Sequence, residues 1–205
     1  TTTDSDVAGF TVIESGGTTT VAEDGTTTDD FTVVLDAQPI SDVVISVTSL
    51  DTGEVTVSPA TLTFTSGNWD SSQTVTVTGV DDSLIDGSQT STVTIAVVDE
   101  SSNDSFDSLA DQTVSASTAD DDTAGFTITQ TDGSSSVTEG GSTDLFTVVL
   151  DAQPTSDVVI TVVSSDTGEA TVSNSTLTFT AANWDTAQTI TMTGVDDDLI
   201  DGTQT

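Results

Sequence analysis

The sequence predicts an all-β chain: antiparallel, immunoglobulin-like β-sandwiches, two in tandem in an elongated array, the second lacking its last strands. Three observations point to it. Apolar residues alternate with Thr and Ser over short runs along the whole chain, while helical spacing is absent. Turn-forming residues separate these runs, the pattern expected of a sandwich of roughly seven strands. Whole blocks recur: Phe31–Pro39 returns as Phe146–Pro154, and Ala8-Gly9-Phe10 as Ala124-Gly125-Phe126. A period of about 115 residues is too long for a solenoid repeat and fits tandem domains.

In chain order, the strands of the first unit are read from Phe31, Val33 and Leu35; Val43, Ile45 and Val47; Leu62 and Phe64; Val75 and Val77; and Val93, Ile95 and Val97. The Thr and Ser between them suit a pleated, hydrated surface without adding charge. Pro39 and Pro154 fall just beyond a strand and end it. Trp69 and Trp184 stand in the repeated Asn-Trp-Asp connections and are expected to plug the end of the core, since one Trp per unit without Tyr makes a poor sugar platform. The predicted domains are residues 1–119 and 120–205. The second has no counterpart of Ser91–Thr118, so its sheet is expected to present an open edge, able to borrow a strand.

Composition narrows the function. The 205 residues include 35 Asp and Glu and no Lys, Arg, His, Cys or Tyr, giving a net charge of −35. There is no imidazole for proton transfer, no thiolate and no amine for a Schiff base, so an enzyme is not expected. A carboxylate-pair hydrolase would still need a cleft between two acids, which flat Ser/Thr-rich sheets do not offer. Without Lys or Arg to meet phosphates, nucleic acid is excluded as a partner. Apolar runs fall well short of the ~20 residues of a membrane helix, so no membrane insertion is expected. So high a charge often signals disorder, but the alternating Val, Ile, Leu and Phe predict a folded chain.

The acids are not scattered evenly. Gly79-Val-Asp-Asp-Ser-Leu-Ile-Asp-Gly87 returns as Gly194-Val-Asp-Asp-Asp-Leu-Ile-Asp-Gly202, each directly after a strand-like run. Asp81, Asp82 and Asp86, and likewise Asp196, Asp197 and Asp201, therefore crowd where a strand ends. Like charges a few ångström apart repel by roughly 1–4 kcal/mol per pair, a sizeable share of a net stability of about 5–15 kcal/mol. A cation relieves this, and calcium fits best. It takes six to eight hard oxygens, whereas softer metals lack His and Cys here and magnesium demands tighter octahedral geometry. Isolated acids such as Asp29, Asp36, Asp42 and Asp104 are read as turn formers and solubilisers.

The order Val21-x-Glu23-x-Gly25, a Thr-rich strand, Asp81-Asp82-x-x-x-Asp86-Gly87, an alternating strand, then Asp120-Asp121-Asp122 before Ala124-Gly125-Phe126 resembles the Calx-β domain. The resemblance spans the first unit and the available part of the second. It implies a Ca2+ ligand set of Glu23, Asp51, Asp81, Asp82, Asp86, Asp120, Asp121 and Asp122 at one end of the first sandwich. In the second unit it implies Glu139, Asp166, Asp196, Asp197 and Asp201. Asp4 and Asp6 look like the tail of a preceding acidic triplet. Asp86 and Asp201 stand where the family often has Glu.

The expected function is that of a calcium-rigidified repeat module of a large bacterial surface or secreted protein, working in adhesion or envelope structure. Its partners would be neighbouring repeats of the same chain and, beyond them, other cell-surface or matrix molecules. Bare, the 118–123 junction is a self-repelling hinge; loaded with calcium, it is a stiff joint. The alternative is a regulatory calcium-sensor pair, as in the sodium–calcium exchangers that carry the domain.

Overall fold

The computed structural model describes residues 5–200 and 202–204. They form two compact units, the first Thr1–Asp82 with Asp86–Asp121 and the second Ser83–Ile85 with Asp122–Thr205. Asp4 and Asp201 lie outside the described residues.

The first unit holds β1 (Phe10–Glu14), β2 (Thr19–Ala22), β3 (Thr28–Leu35), β4 (Val43–Ser49), β5 (Val55–Ser58), β6 (Thr61–Phe64), β7 (Gln73–Gly79), β8 (Gln89–Val97) and β9 (Gln112–Ala119). They make a four-stranded sheet ordered β1-β3-β7-β5 and a five-stranded sheet ordered β2-β9-β8-β4-β6. The alternation read from the sequence sets which face is buried. Phe31, Val33 and Leu35 of β3, Val43, Ile45 and Val47 of β4, Leu62 and Phe64 of β6, Val75 and Val77 of β7, and Val93 and Ile95 of β8 fill one core. Removing each large apolar side chain from water contributes about 1.5–3 kcal/mol, so this face holds the sandwich closed.

One pairing departs from the expected antiparallel pattern. β2 lies parallel to β9, from Thr19 opposite Ala116 to Ala22 opposite Ala119. The pair continues past the strand, where the Glu23 N–H donates to the Ala119 carbonyl at 2.9 Å. This brings the segment after β2 beside the segment after β9, a juxtaposition that the site depends on.

Trp69 packs half-buried against the core, as expected of an end plug, and Trp184 does the same in the second unit. Both loops are tied alike: Asn68 Oδ1 accepts the Thr65 N–H and Asn183 Oδ1 accepts the Thr180 N–H, each at 2.6 Å.

The second unit holds β10 (Phe126–Gln130), β11 (Thr143–Leu150), β12 (Val158–Thr161), β13 (Ala170–Val172), β14 (Thr176–Phe179) and β15 (Gln188–Gly194). Its first sheet, β10-β11-β15-β13, repeats that of the first unit, but among the described residues its second is the β12-β14 pair. The core is correspondingly thin: Val148, Leu150, Leu177, Phe179 and Ile190 are buried, while Phe146, Val158, Ile160 and Val162 are only half-covered. Among the described residues, no helix is long and apolar enough to cross a membrane.

Candidate metal centre

One end of the first unit gathers acids from segments distant in sequence. Glu23 follows β2, Glu54 precedes β5, Asp82 and Asp86 lie between β7 and β8, and Asp120 follows β9. Antiparallel pairing of β5 with β7 sets the start of one beside the end of the other, and the Val80 N–H donates to the Glu54 carbonyl at 2.9 Å. Parallel pairing of β2 with β9 brings in the remaining two segments.

The tightest group is Glu23, Glu54 and Asp82, whose carboxylate oxygens lie within 4.8 Å of one another. Glu23 is 1% exposed, among the most buried side chains of the protein. Its Oε1 accepts no hydrogen bond, and neither do the buried Glu54 Oε2 and Asp86 Oδ1. Burying a carboxylate oxygen without a donor costs several kcal/mol, so polar groups in protein interiors are normally satisfied. With no Lys, Arg or His anywhere in the sequence, no side chain of this protein can supply the missing positive charge.

The electrostatics follow. Glu23 is pushed up from 4.5 to about 7, first by burial and then by the charges of Asp82, Glu54, Asp86 and Asp120. Glu54 is raised as well, by burial and by Asp86, Asp51, Asp82 and Asp120. Without a cation these groups favour holding a proton. A hard divalent ion is the other way to settle them, and an all-oxygen donor set including several carboxylates suits calcium.

The surrounding loops are held by their own hydrogen bonds. Asp24, next to Glu23, accepts the N–H groups of Thr26 and Thr27 and the Thr27 hydroxyl, which brings it down to about 2. It braces the turn rather than joining the cluster. Gly79 ends β7 hard against β2: a Cβ there would overlap the Ala22 carbonyl oxygen, so glycine is what lets the chain before Glu23 come this close. Gly194 meets the Thr138 carbonyl in the same way. The Gly87 N–H donates to Asp120 Oδ2 at 2.8 Å, joining the loop before β8 to the end of β9. Gly87 takes φ +74° there, a left-handed conformation natural to glycine.

The residues implied by sequence are thus placed unequally. Glu23 and Asp82 belong to the tight cluster, and Asp86 and Asp120 face Glu23 closely enough to raise it. Asp81 and Asp121 are exposed, and Asp122 is half-buried. Asp51 is exposed and turned into its own loop, where Oδ1 accepts the Gly53 N–H at 3.1 Å, although its charge still reaches Glu54. In the second unit Glu139 and Asp197 are half-buried, and Asp166 and Asp196 are exposed. Asp166 caps the Gly168 N–H as Asp51 does Gly53, and Asp197 Oδ1 accepts the Leu199 N–H at 2.7 Å. These second-unit acids form no tight cluster among the described residues, and Asp201 is not one of them.

Sequence reasoning missed Glu54. The resemblance implies Asp51, the first acid of the Asp51-Thr52-Gly53-Glu54 turn, whereas the fold sets the last acid of that turn beside Glu23. The available signal was position: Glu54 directly precedes Val55, the fully buried first residue of β5.

No family model matches the chain, and no curated protein matches it. Among solved structures, the calcium binding domain CBD12 of CALX1.1 is 15% identical, with a TM-score of 0.39 over 91% of this chain and 76% of that one. The apo-form Calx CBD1 domain is 14% identical, with a TM-score of 0.36 over 55% of this chain and 98% of that one. SSP-19, an MSP-domain protein of Caenorhabditis elegans, is as similar: 14% identical, TM-score 0.35, covering 53% of this chain and 97% of that one. Scores of this size carry no functional inference, and the metal centre rests on its own side chains.

Proposed function

We propose that the acidic end of the first unit binds calcium, and that the chain is a calcium-rigidified repeat module of an extracellular bacterial adhesin or structural surface protein. The buried carboxylate of Glu23, whose Oε1 has no hydrogen-bond partner, with an oxygen within 4.8 Å of those of Glu54 and Asp82 in a sequence without a single cationic side chain, carries the reading. Glu23, Glu54, Asp82 and Asp86 would hold the ion. Asp120, bonded to Gly87, ties the end of β9 to the same loops, and Asp121 and Asp122 continue from it. Filling the site would therefore order the segment that leaves the first sandwich, which suits a module arrayed with neighbouring repeats on a calcium-rich cell surface.

Melting temperature in calcium, magnesium and chelator tests this. An ion at 100 times its Kd adds about 2.7 kcal/mol, which in a domain of this size corresponds to a rise of roughly 10–20 °C. Calcium is expected to produce that rise and magnesium less than half of it. Equal melting in calcium and chelator would sink the reading. Small-angle scattering separates the mechanical part: calcium should narrow the distribution of shapes, whereas identical curves with and without it would leave a calcium binder that stiffens nothing.

The sensor reading draws on one observation, the tight cluster of the first unit without an equal among the described residues of the second. Calcium affinities that differ strongly between the two units, with the tighter in the micromolar range, would favour it.

A further inference from the structure

Four Asp-Gly steps stand in the sequence: Asp24-Gly25, Asp86-Gly87, Asp132-Gly133 and Asp201-Gly202. Covalent chemistry gives them a shared reactivity. Each puts a carboxyl one methylene from the main chain, and the following glycine has no side chain to shield its amide nitrogen. Whether a step reacts depends on how the fold holds those two groups. Asp201 lies outside the described residues, and the other three steps are held differently.

Asp24 is exposed, yet its carboxylate accepts the Thr26 and Thr27 N–H groups at 2.8 and 2.6 Å and the Thr27 hydroxyl at 2.6 Å. At the second step Asp86 is half-buried. The Gly87 N–H, whose nitrogen would have to attack, donates instead to Asp120 Oδ2 at 2.8 Å. Either step must open locally before it can react. Asp132 carries no such restraint. It is exposed in a single 3-10 turn, Thr131–Gly133, and its carboxylate accepts no hydrogen bond among the described residues. A Cβ on Gly133 would meet nothing within 4 Å, so there is room around the reacting nitrogen. The first unit makes the same exposed turn with Gly16 and Gly17 at φ +64° and +82°, where Asp132 and Gly133 take +54° and +81°. Among the described residues Asp132 is the one residue other than glycine with a positive φ. That conformation costs an aspartate what it does not cost a glycine, so this backbone leaves its resting geometry the more readily.

We propose that Asp132-Gly133 is a site of spontaneous isoaspartate formation, in preference to Asp24-Gly25 and Asp86-Gly87. The Gly133 nitrogen bonds to Cγ of the protonated Asp132 carboxyl, whose hydroxyl leaves with the nitrogen's proton as water. The product is a five-membered succinimide. Water then adds at the Asp132 main-chain carbonyl carbon, and the bond from that carbon to the Gly133 nitrogen breaks. The chain afterwards runs through Cβ and Cγ, one methylene longer, with a free α-carboxylate beside it. Water is lost and regained, so mass is unchanged and no oxidant or reductant takes part. The turn adjoins Gln130, paired with Phe146, and Thr131, whose hydroxyl donates to the Leu145 carbonyl at 2.7 Å. A longer main chain there loosens the end of the β10-β11 pair.

The test is to store the whole 205-residue chain for weeks at mildly acidic pH, where part of the carboxyl is protonated, and to locate isoaspartate in its peptides by electron-based fragmentation. Digestion with an endoprotease that cuts before aspartate reads the same event, because the β-linked residue resists it. Isoaspartate at 132 is expected to exceed that at 24 or 86 by about tenfold or more, since those steps must first give up their hydrogen bonds. In denaturant the three steps should react at similar rates, because only the fold separates them. Three results overturn the proposal: no isoaspartate at 132, comparable amounts at 24 or 86 in the folded protein, or the same ranking in denaturant, which would trace the preference to local sequence.

Discussion

Glu23→Gln is expected to weaken calcium binding by on the order of 100-fold or more while leaving the calcium-free protein as stable as before, or more so. The two halves have one cause. Glu23 is the most buried acid of the cluster, and its Oε1 has no donor. On the proposed function, that oxygen is a calcium ligand and its charge is needed. Without calcium the same charge faces Asp82, Glu54, Asp86 and Asp120, each raising its pKa. The amide keeps the shape and removes the repulsion, worth roughly 1–4 kcal/mol for each close pair. Asp107→Asn is the control. Asp107 is also raised, by burial and by Asp99 and Asp104, but it lies beyond the opposite end of β8 and should leave calcium binding unchanged. A fall in stability without calcium, combined with unchanged affinity, would mean that Glu23 is merely structural.

The second large effect is on pH dependence. A carboxyl at about 7 in the folded protein and 4.5 unfolded takes up protons on folding between those values. Stability therefore falls as pH rises from 4.5 through 7, the reverse of an ordinary paired carboxylate. Glu54 acts in the same direction. Asp24 and Asp29, lowered by hydrogen bonds, act oppositely and at lower pH, their stabilisation being lost as pH falls below the usual carboxylate range. The chelator-treated protein should thus melt highest near pH 4–5, and at pH 7.5 it should melt lower by roughly 5–10 °C. Saturating calcium should abolish or reverse that slope, because the ion binds the deprotonated site and competes with protons. Parallel melting curves against pH in calcium and chelator would contradict the electrostatic account.

Most of the fold was legible because burial and pattern coincide. Strict alternation in β3, β4, β7 and β8 names the inward residues, since a one-residue slip would turn each set out to solvent. Two features were not legible. β2, with Thr19, Thr20, Val21 and Ala22, has too little pattern to reveal that it pairs in parallel with β9, a partner almost a hundred residues away. Val162-Val163-Ser164 looks like strand and is not one, because strand formation needs a neighbour that local sequence cannot supply.

The site divides in the same way. Acids in the loop after β7 could be found from their crowding alone. Choosing Glu54 over Asp51 required the turn geometry, which caps Gly53 with Asp51 and sets Glu54 beside Glu23. That Glu23 is buried, rather than one more surface acid, follows from β2 being drawn against Gly79 and Ala119.

Anomalous scattering from crystals grown in calcium tests the central claim most directly. The account predicts a calcium peak at the end of the first unit, coordinated at roughly 2.3–2.6 Å by carboxylate oxygens of Glu23, Glu54 and Asp82. Crystals grown with ample calcium that show these three side chains without an ion, or calcium only at exposed acids elsewhere, would contradict it.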